Sequence, residues 1–237
     1  MASAPTSLAS QSPALPAPPA AAEPSEYVPA WFDRSSITAD VMVMIEGVTE
    51  EEWWEDAPDN RVCEFWDGVV YMPSPASVEH QSDVGFWFFL LSGFASEREI
   101  GEVILGPGVL RLAPGRNPEP DVFVVPLGEG PHDPPALLVV ETLSPSTRAH
   151  DTGRKAQGYR DAKIPEMIHV DLKRRRIIVS RRVEELYTTE ILERGIWHSA
   201  SVPGFWLDIE WLWRDSHPRR VQCLLAILAG PPALPAP

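Results

Sequence analysis

The stretches PDVFVVP at 120–126 and ALLVVETLSPSTRAHDTGRK at 136–155 decide how this sequence folds. Each holds a short run of Val, Leu and Phe bounded by turn residues, the pattern of a buried strand. Each also carries a carboxylate where a sheet normally wants none: Asp121 opens the first run and Glu141 stands near the end of the second. An ionised carboxylate beside a buried strand is costly unless a cation or strong donors compensate it. Taken singly, either acid reads equally well as a strand-end residue reaching water. Paired as an antiparallel hairpin, the start of the first run lies beside the end of the second. Asp121 and Glu141 then fall within about a residue of each other in register. Two adjacent carboxylates repel, and a divalent cation on oxygen ligands relieves that repulsion; Mg²⁺ suits a few carboxylates completed by water and phosphate.

Outward from this pair, a helix is expected from Asp151 to about Ala162, stopping before Pro165. Further strands are expected over Glu102–Leu112, Glu166–Leu172 and Arg176–Val183. Upstream, Thr49 with Glu52 three residues on fits a capping box, and Glu50, Glu51 and Glu52 suit a helix start. A strand from Cys63 to Met72, broken at Asp67–Gly68, precedes a long helix from Glu79 to Arg98. That helix carries Val84, Phe86, Trp87, Phe88, Phe89, Leu90, Leu91 and Phe94, an apolar load that calls for cover on several sides. The order predicts an α/β (α+β) domain: a central mixed β-sheet flanked by helices. Its expected span is 36–215, between a disordered Pro/Ala-rich tail at 1–30 and a C-terminal tail at 216–237.

The 237 residues suffice for one sizeable domain. Residues 1–22 lack the basic and apolar regions of a signal peptide, and Val84–Ala95 is too short to span a bilayer. Cys63 and Cys223 form no disulfide framework. A cytoplasmic setting with no membrane partner is therefore the expectation. The net charge of −14 argues at first sight against a polyanionic partner, but it is unevenly held. Residues 1–100 carry 17 acids and 3 bases, whereas 101–237 carry 17 of each. In that neutral half Lys173, Arg174, Arg175, Arg176, Arg181 and Arg182 cluster. They read either as a solvated hairpin or as a contact for phosphates.

Other catalytic signatures fail. Gly106 and Gly108 begin a G-x-G without the third glycine, and no Walker, G-x-S-x-G or H-E-x-x-H motif occurs. His132, His150, His169, His198 and His217 show no zinc-ligand spacing.

From about Val48 to Arg214 the chain resembles the Uma-type family of restriction-endonuclease-like proteins, within the PD-(D/E)XK nuclease superfamily. The matching blocks are EFWDGVVYMPSP at 64–75, EH at 79–80, PD at 120–121, VVETLSPST at 139–147, DTGRK at 151–155 with Tyr159, IPE at 164–166 and VPGFWLDIEWLW at 202–213. The resemblance implies a restriction-endonuclease-like core. It makes Asp121 the Asp of the Pro-Asp element and Glu141 the acid of the (D/E)XK element. The superfamily lysine would stand two residues after Glu141, where this chain has Leu143; in the Uma-type pattern Lys155 of the following helix takes its place. Glu64 becomes a candidate third carboxylate, and His80 a candidate contact for phosphate or a coordinated water. Their plainer readings are a strand-edge acid and a helix-start histidine. Tyr159 is expected to pack against or position Lys155.

The implied activity is Mg²⁺- or Mn²⁺-dependent hydrolysis of DNA phosphodiester bonds. Asp121, Glu141 and the backbone carbonyl of Thr142 would be metal ligands, and Lys155 would assist the attacking water. RNA or a structured DNA end is a further substrate expectation. Many nucleases of the superfamily act as dimers, so a homodimer is a further expectation. The alternative from another class is a non-catalytic nucleic-acid-binding or protein-interaction module on the same fold, which the acidic first hundred residues favour.

Overall fold

A computed structural model describes residues 42–58, 61–128, 132, 134–214 and 216–232; the Pro/Ala-rich stretch 1–30 lies outside them. The capping box forms as its residues suggest: the Thr49 side chain accepts from the Glu52 N–H, and Glu52 accepts from the Thr49 N–H at 2.8 Å. Thr49 thereby starts helix α1 (Glu50–Asp56), which follows strand β1 (Met42–Glu46). Strands β2 (Glu64–Trp66) and β3 (Val69–Pro73) turn at Asp67–Gly68, both at positive φ. With β1 and β5 (Arg116–Asn117) they make a small sheet in the order β1-β3-β2-β5. Its importance is that it carries Glu64.

The main sheet has six strands in the order β10-β9-β8-β7-β6-β4. These are β4 (Gly101–Leu105), β6 (Val122–Pro126), β7 (Leu138–Thr142), β8 (Glu166–Asp171), β9 (Arg176–Val183) and β10 (Leu186–Leu192). Among the described strands only β7 and β8 run parallel, and their connection is helical, as parallel crossovers usually are. All five residues of β7 are buried, because both faces of the sheet are covered. One face holds Leu138 and Val140 against helix α2 (Val78–Glu97), with Phe86, Trp87, Leu90, Leu91 and Phe94 in the same cluster. The opposite face holds Phe123 and Val139 against Tyr159 and Ile164. Burying one such large apolar side chain contributes roughly 1.5–3 kcal/mol, so the aromatic load of α2 is core, as its density predicted.

Three expectations change. Residues 216–237, expected as a tail, include helix α5 (Arg220–Ala229), whose Cys223 and Ile227 are buried. Leu224 of α5 lies so close to Gly93 of α2 that a Cβ there would meet it at 2.5 Å. The strand expected over Glu102–Leu112 ends at Leu105. The helix expected from Asp151 begins earlier, as α3 (Arg148–His150), runs through a π-helical turn (Asp151–Lys155) and continues as α4 (Ala156–Asp161). Lys155 therefore does not face the N-terminal end of the helix dipole. Strands β11 (Ile196–His198) and β12 (Trp206–Asp208) pair beside α2, with Trp197 edge-on to Trp87. Among the described residues no helix is long and apolar enough to cross a membrane.

Candidate active site

In the antiparallel register of β6 and β7, Val122 pairs with Val140, so Asp121 and Glu141 stand opposite each other at one end of the sheet. Alternation along β7 then sends successive side chains to opposite faces. Glu141 points toward the helix that follows its strand, and Thr142 toward α2. Two backbone contacts clasp the strand ends: the Thr142 N–H donates to Asp121 Oδ2 at 2.7 Å, and the Asp121 N–H points at Glu141 Oε2 at 3.4 Å.

Lys155 lies at the centre of the site. Its ammonium is 2.8 Å from Glu141 Oε1, 2.7 Å from Glu64 Oε1 and 3.7 Å from Asp151 Oδ1, with a side chain only 4% exposed. The π-helical turn carries both Asp151 and Lys155 inward; such turns recur at functional positions. The His169 ring, whose residue pairs with Glu141 in the parallel register, donates from Nε2 to the Asp151 carbonyl at 3.2 Å. Burial holds His169 near pKa 4, so its ring is neutral and suited to that bond. Tyr159 donates to Glu141 Oε1 at 2.6 Å, so it touches the acid that holds the lysine. The second oxygen of Glu64 meets His150 Nε2 at 2.8 Å, and His150 stacks on Tyr71. His80, at the start of α2, reaches Asp121 Oδ2 with Nε2 at 3.3 Å. Beneath it, Asp83 accepts from the Thr142 hydroxyl at 2.8 Å and faces His217 Nε2 at 3.6 Å.

Charge in the site is unbalanced. Glu64, Glu141 and Asp151 surround one ammonium, and Asp121 stands beside Glu141. Burial would raise the Glu64 pKa, but Lys155 and His150 hold it down at about 2. Burial pushes Glu141 well above the usual carboxylate range, and the charges of Asp151, Asp121 and Glu64 add to this against the pull of Lys155. Burial likewise lifts Asp151 to about 6. Glu141 and Glu64 outweigh burial at Lys155 and keep it charged. Glu119, two residues before Asp121, is raised to about 7 by burial and by Glu64, and its Oε2 has no hydrogen-bond partner among the described residues.

The site opens into a cleft of about 960 Å³, where Asp121, Glu141, Thr142 and Lys155 share the lining with His80 and Ser144. All five side chains proposed from sequence, Asp121, Glu141, Lys155, Glu64 and His80, meet here. So do Asp151, His150 and Glu119, which sequence reasoning did not propose, nor did it propose Asp83, buried behind Thr142. Among the described residues no group of three or more His, Cys, Asp or Glu side chains is arranged around a common metal position. The adjacent carboxylates of Asp121 and Glu141 and the Thr142 carbonyl are nonetheless hard oxygen donors. Their chemistry fits a small divalent cation that takes its other ligands from water or phosphate.

The mixed sheet with its flanking helices is a fold shared with a solved structure. It aligns over 70% of this chain, and 97% of the other, with the crystal structure of a putative nuclease of the DUF820 family from Anabaena variabilis. The TM-score is 0.58 at 14% identity, a likeness of fold. Residues 48–210 match the model of the Uma2 family, described as "Putative restriction endonuclease", and the chain belongs to that family. No curated protein matches the sequence.

Proposed function

We propose that the protein is a metal-dependent endonuclease that hydrolyses DNA phosphodiester bonds, with Asp121, Glu141 and the Thr142 carbonyl as ligands of Mg²⁺ or Mn²⁺. The observation that carries this reading is the in-register pair Asp121 and Glu141, with the Lys155 ammonium 2.8 Å from Glu141, on the rim of one cleft. When bound, such a cation supplies Lewis acidity at the phosphoryl oxygen and lowers the pKa of an attacking water. The chain's own residues supply the rest. Lys155, fixed between Glu64 and Glu141, offers its ammonium to the attacking water or to charge developing on the phosphate. Tyr159 holds the Glu141 oxygen that faces Lys155, and the Thr142 N–H holds Asp121. His80, with a side chain 12% exposed at the cleft, is placed to contact the substrate phosphate or to orient Asp121.

Cleavage of supercoiled plasmid and of single-stranded DNA with Mg²⁺ or Mn²⁺, comparing wild type with Asp121→Ala and Lys155→Ala, tests the reading. Loss of about three orders of magnitude in Asp121→Ala is expected, equivalent to about 4 kcal/mol. Equal activity in all three proteins would refute the site. One observation favours a second reading, a non-catalytic module on the same fold: Lys155 is already neutralised by Glu64 and Glu141. Absence of both metal binding and cleavage would select it.

A further inference from the structure

The end of the main sheet that carries Asp121 and Glu141 also carries an arginine cluster on its other side. Because β8 runs parallel to β7, and β9 and β10 follow in order, the chain positions leaving β7, β8 and β10 and entering β9 all lie at this end. Lys173, Arg174 and Arg175 occupy the β8–β9 turn, and Arg194 follows β10. Arg214 follows the 3₁₀ helix Ile209–Trp213. Arg174, Arg175, Arg194 and Arg214 line one shallow depression of about 730 Å³ together with Trp213.

These guanidinium groups are exposed, and among the described residues no carboxylate pairs with Arg175, Arg194 or Arg214. Three acids share the depression. The Asp208 carboxylate accepts from the Glu210 N–H, and the Glu193 backbone carbonyl accepts from the Trp213 indole at 2.8 Å, so the Glu193 and Glu210 carboxylates flank the arginines without an ion pair to Arg175, Arg194 or Arg214 among the described residues. Arg175 sits at φ 49°, in the left-handed region that Gly or Asn occupies more cheaply. Arg175, Arg194 and Arg214 thus keep their guanidinium N–H groups open to an incoming phosphate, which a guanidinium fork can hold by two hydrogen bonds.

The cluster is tied to the candidate site. Arg148, on the helix that follows Thr142, binds Asp171 at 2.8 and 2.9 Å, and Asp171 also accepts from Arg174. Three strand spacings of about 4.8 Å separate β7 from β10, so Arg194 lies on the order of 14 Å along the sheet end from Glu141. At 3.4 Å per nucleotide step, that is about four steps of a nucleic-acid strand.

From these placements we infer that Arg175, Arg194 and Arg214 form a phosphate-backbone contact for duplex DNA lying across the sheet end, its flanking phosphates on the arginines and its scissile phosphate in the cleft. The position of the scissile phosphate rests on the nuclease reading; the binding surface itself does not. Trp213 is the apolar floor of that contact.

The test is binding rather than cleavage. Fluorescence anisotropy of a labelled 30-base-pair DNA duplex, and of one of its strands, is followed against NaCl in EDTA. Wild type is compared with Arg175→Ala/Arg194→Ala/Arg214→Ala and with Lys163→Ala/Arg182→Ala, which lie at the opposite end of the sheet. Each lost phosphate contact removes about 0.9 from the slope of log K against log salt. The triple variant is expected to bind duplex at least tenfold more weakly with a slope smaller by two or more, while the control pair binds as wild type does. Four results overturn the inference: no duplex binding by wild type, equal binding by the triple variant, an equal loss in the control pair, or equal displacement of the duplex by polyglutamate. Stronger dependence on the arginines for the single strand than for the duplex would overturn the duplex assignment. Plasmid cleavage by wild type, measured separately, reports on the nuclease reading, so the two failures are told apart.

Discussion

Two buried carboxylates on neighbouring parallel strands meet opposite fates. Glu166, at the start of β8, has every oxygen answered: Arg181 Nε at 2.8 Å on one, and Ser199 Oγ, Ala200 N, Ser201 N and Ser201 Oγ at 2.6–3.2 Å on the other. Its donors come from two parts of the chain, strand β9 and the segment 199–201, and it closes the far end of the sheet. Glu141, at the end of β7, shares one ammonium with Glu64 and Asp151, faces Asp121 and opens on a cleft. A chain able to satisfy Glu166 this fully leaves surplus negative charge at Glu141. The first carboxylate is explained by folding alone. The second is the one the proposed cation would account for, since uncompensated buried charge is destabilising.

Four substitutions break or sharpen that contrast, all read as urea-unfolding free energies at constant slope. Lys155→Met removes the cation that three buried carboxylates share and is expected to cost about 3–5 kcal/mol at neutral pH. The stranded carboxylates favour their protonated forms, so this cost shrinks as pH falls and grows as pH rises. A pH-independent cost would contradict the charge account. Glu166→Gln turns an NH₂ group toward Arg181 or toward the four donors on the other side, and about 3 kcal/mol is expected. Asp171→Asn loosens Arg148 and Arg174, at about 2 kcal/mol near pH 7. Burial alone would raise the Asp171 carboxyl, but hydrogen bonds from Arg148 and Arg174 hold it near pKa 2. Its contribution is therefore complete above the unfolded value of about 3.9 and is lost as pH falls toward 2. The variant should be flatter than wild type across that window. Glu141→Gln keeps an acceptor for Tyr159 while relieving repulsion, and a change under about 1 kcal/mol is expected. Equal penalties for Glu141→Gln and Glu166→Gln would erase the distinction.

The contrast was half legible in the sequence. Short apolar runs that follow Asp121 and precede Glu141 predict the two strands, and pairing them as a hairpin predicts that the acids lie close together, while the long intervening loop leaves the exact register to the structure. Glu64 and Lys155 meet across 91 residues, a convergence that no local pattern encodes; resemblance supplied it. Asp151 reads as a helix-starting acid, and only the earlier onset of the helix at Arg148 and its π-helical turn carry it inside. Asp83 hides within an apolar helix, where its partner Thr142 comes from another element. At the fold level, β10 is mostly exposed and polar at Thr188, Thr189 and Glu190, so its alternation is weak. Helix α5 is short and followed by prolines, and its burial against α2 depends on the notch at Gly93.

Isothermal titration of Mn²⁺ into the metal-free protein, wild type against Asp121→Asn and Glu141→Gln, tests the central claim most directly. A site on the wild type that weakens at least tenfold in both variants, with folding intact, is the predicted result. Wild-type protein that takes up no Mn²⁺, or variants that bind it as tightly, would contradict the account.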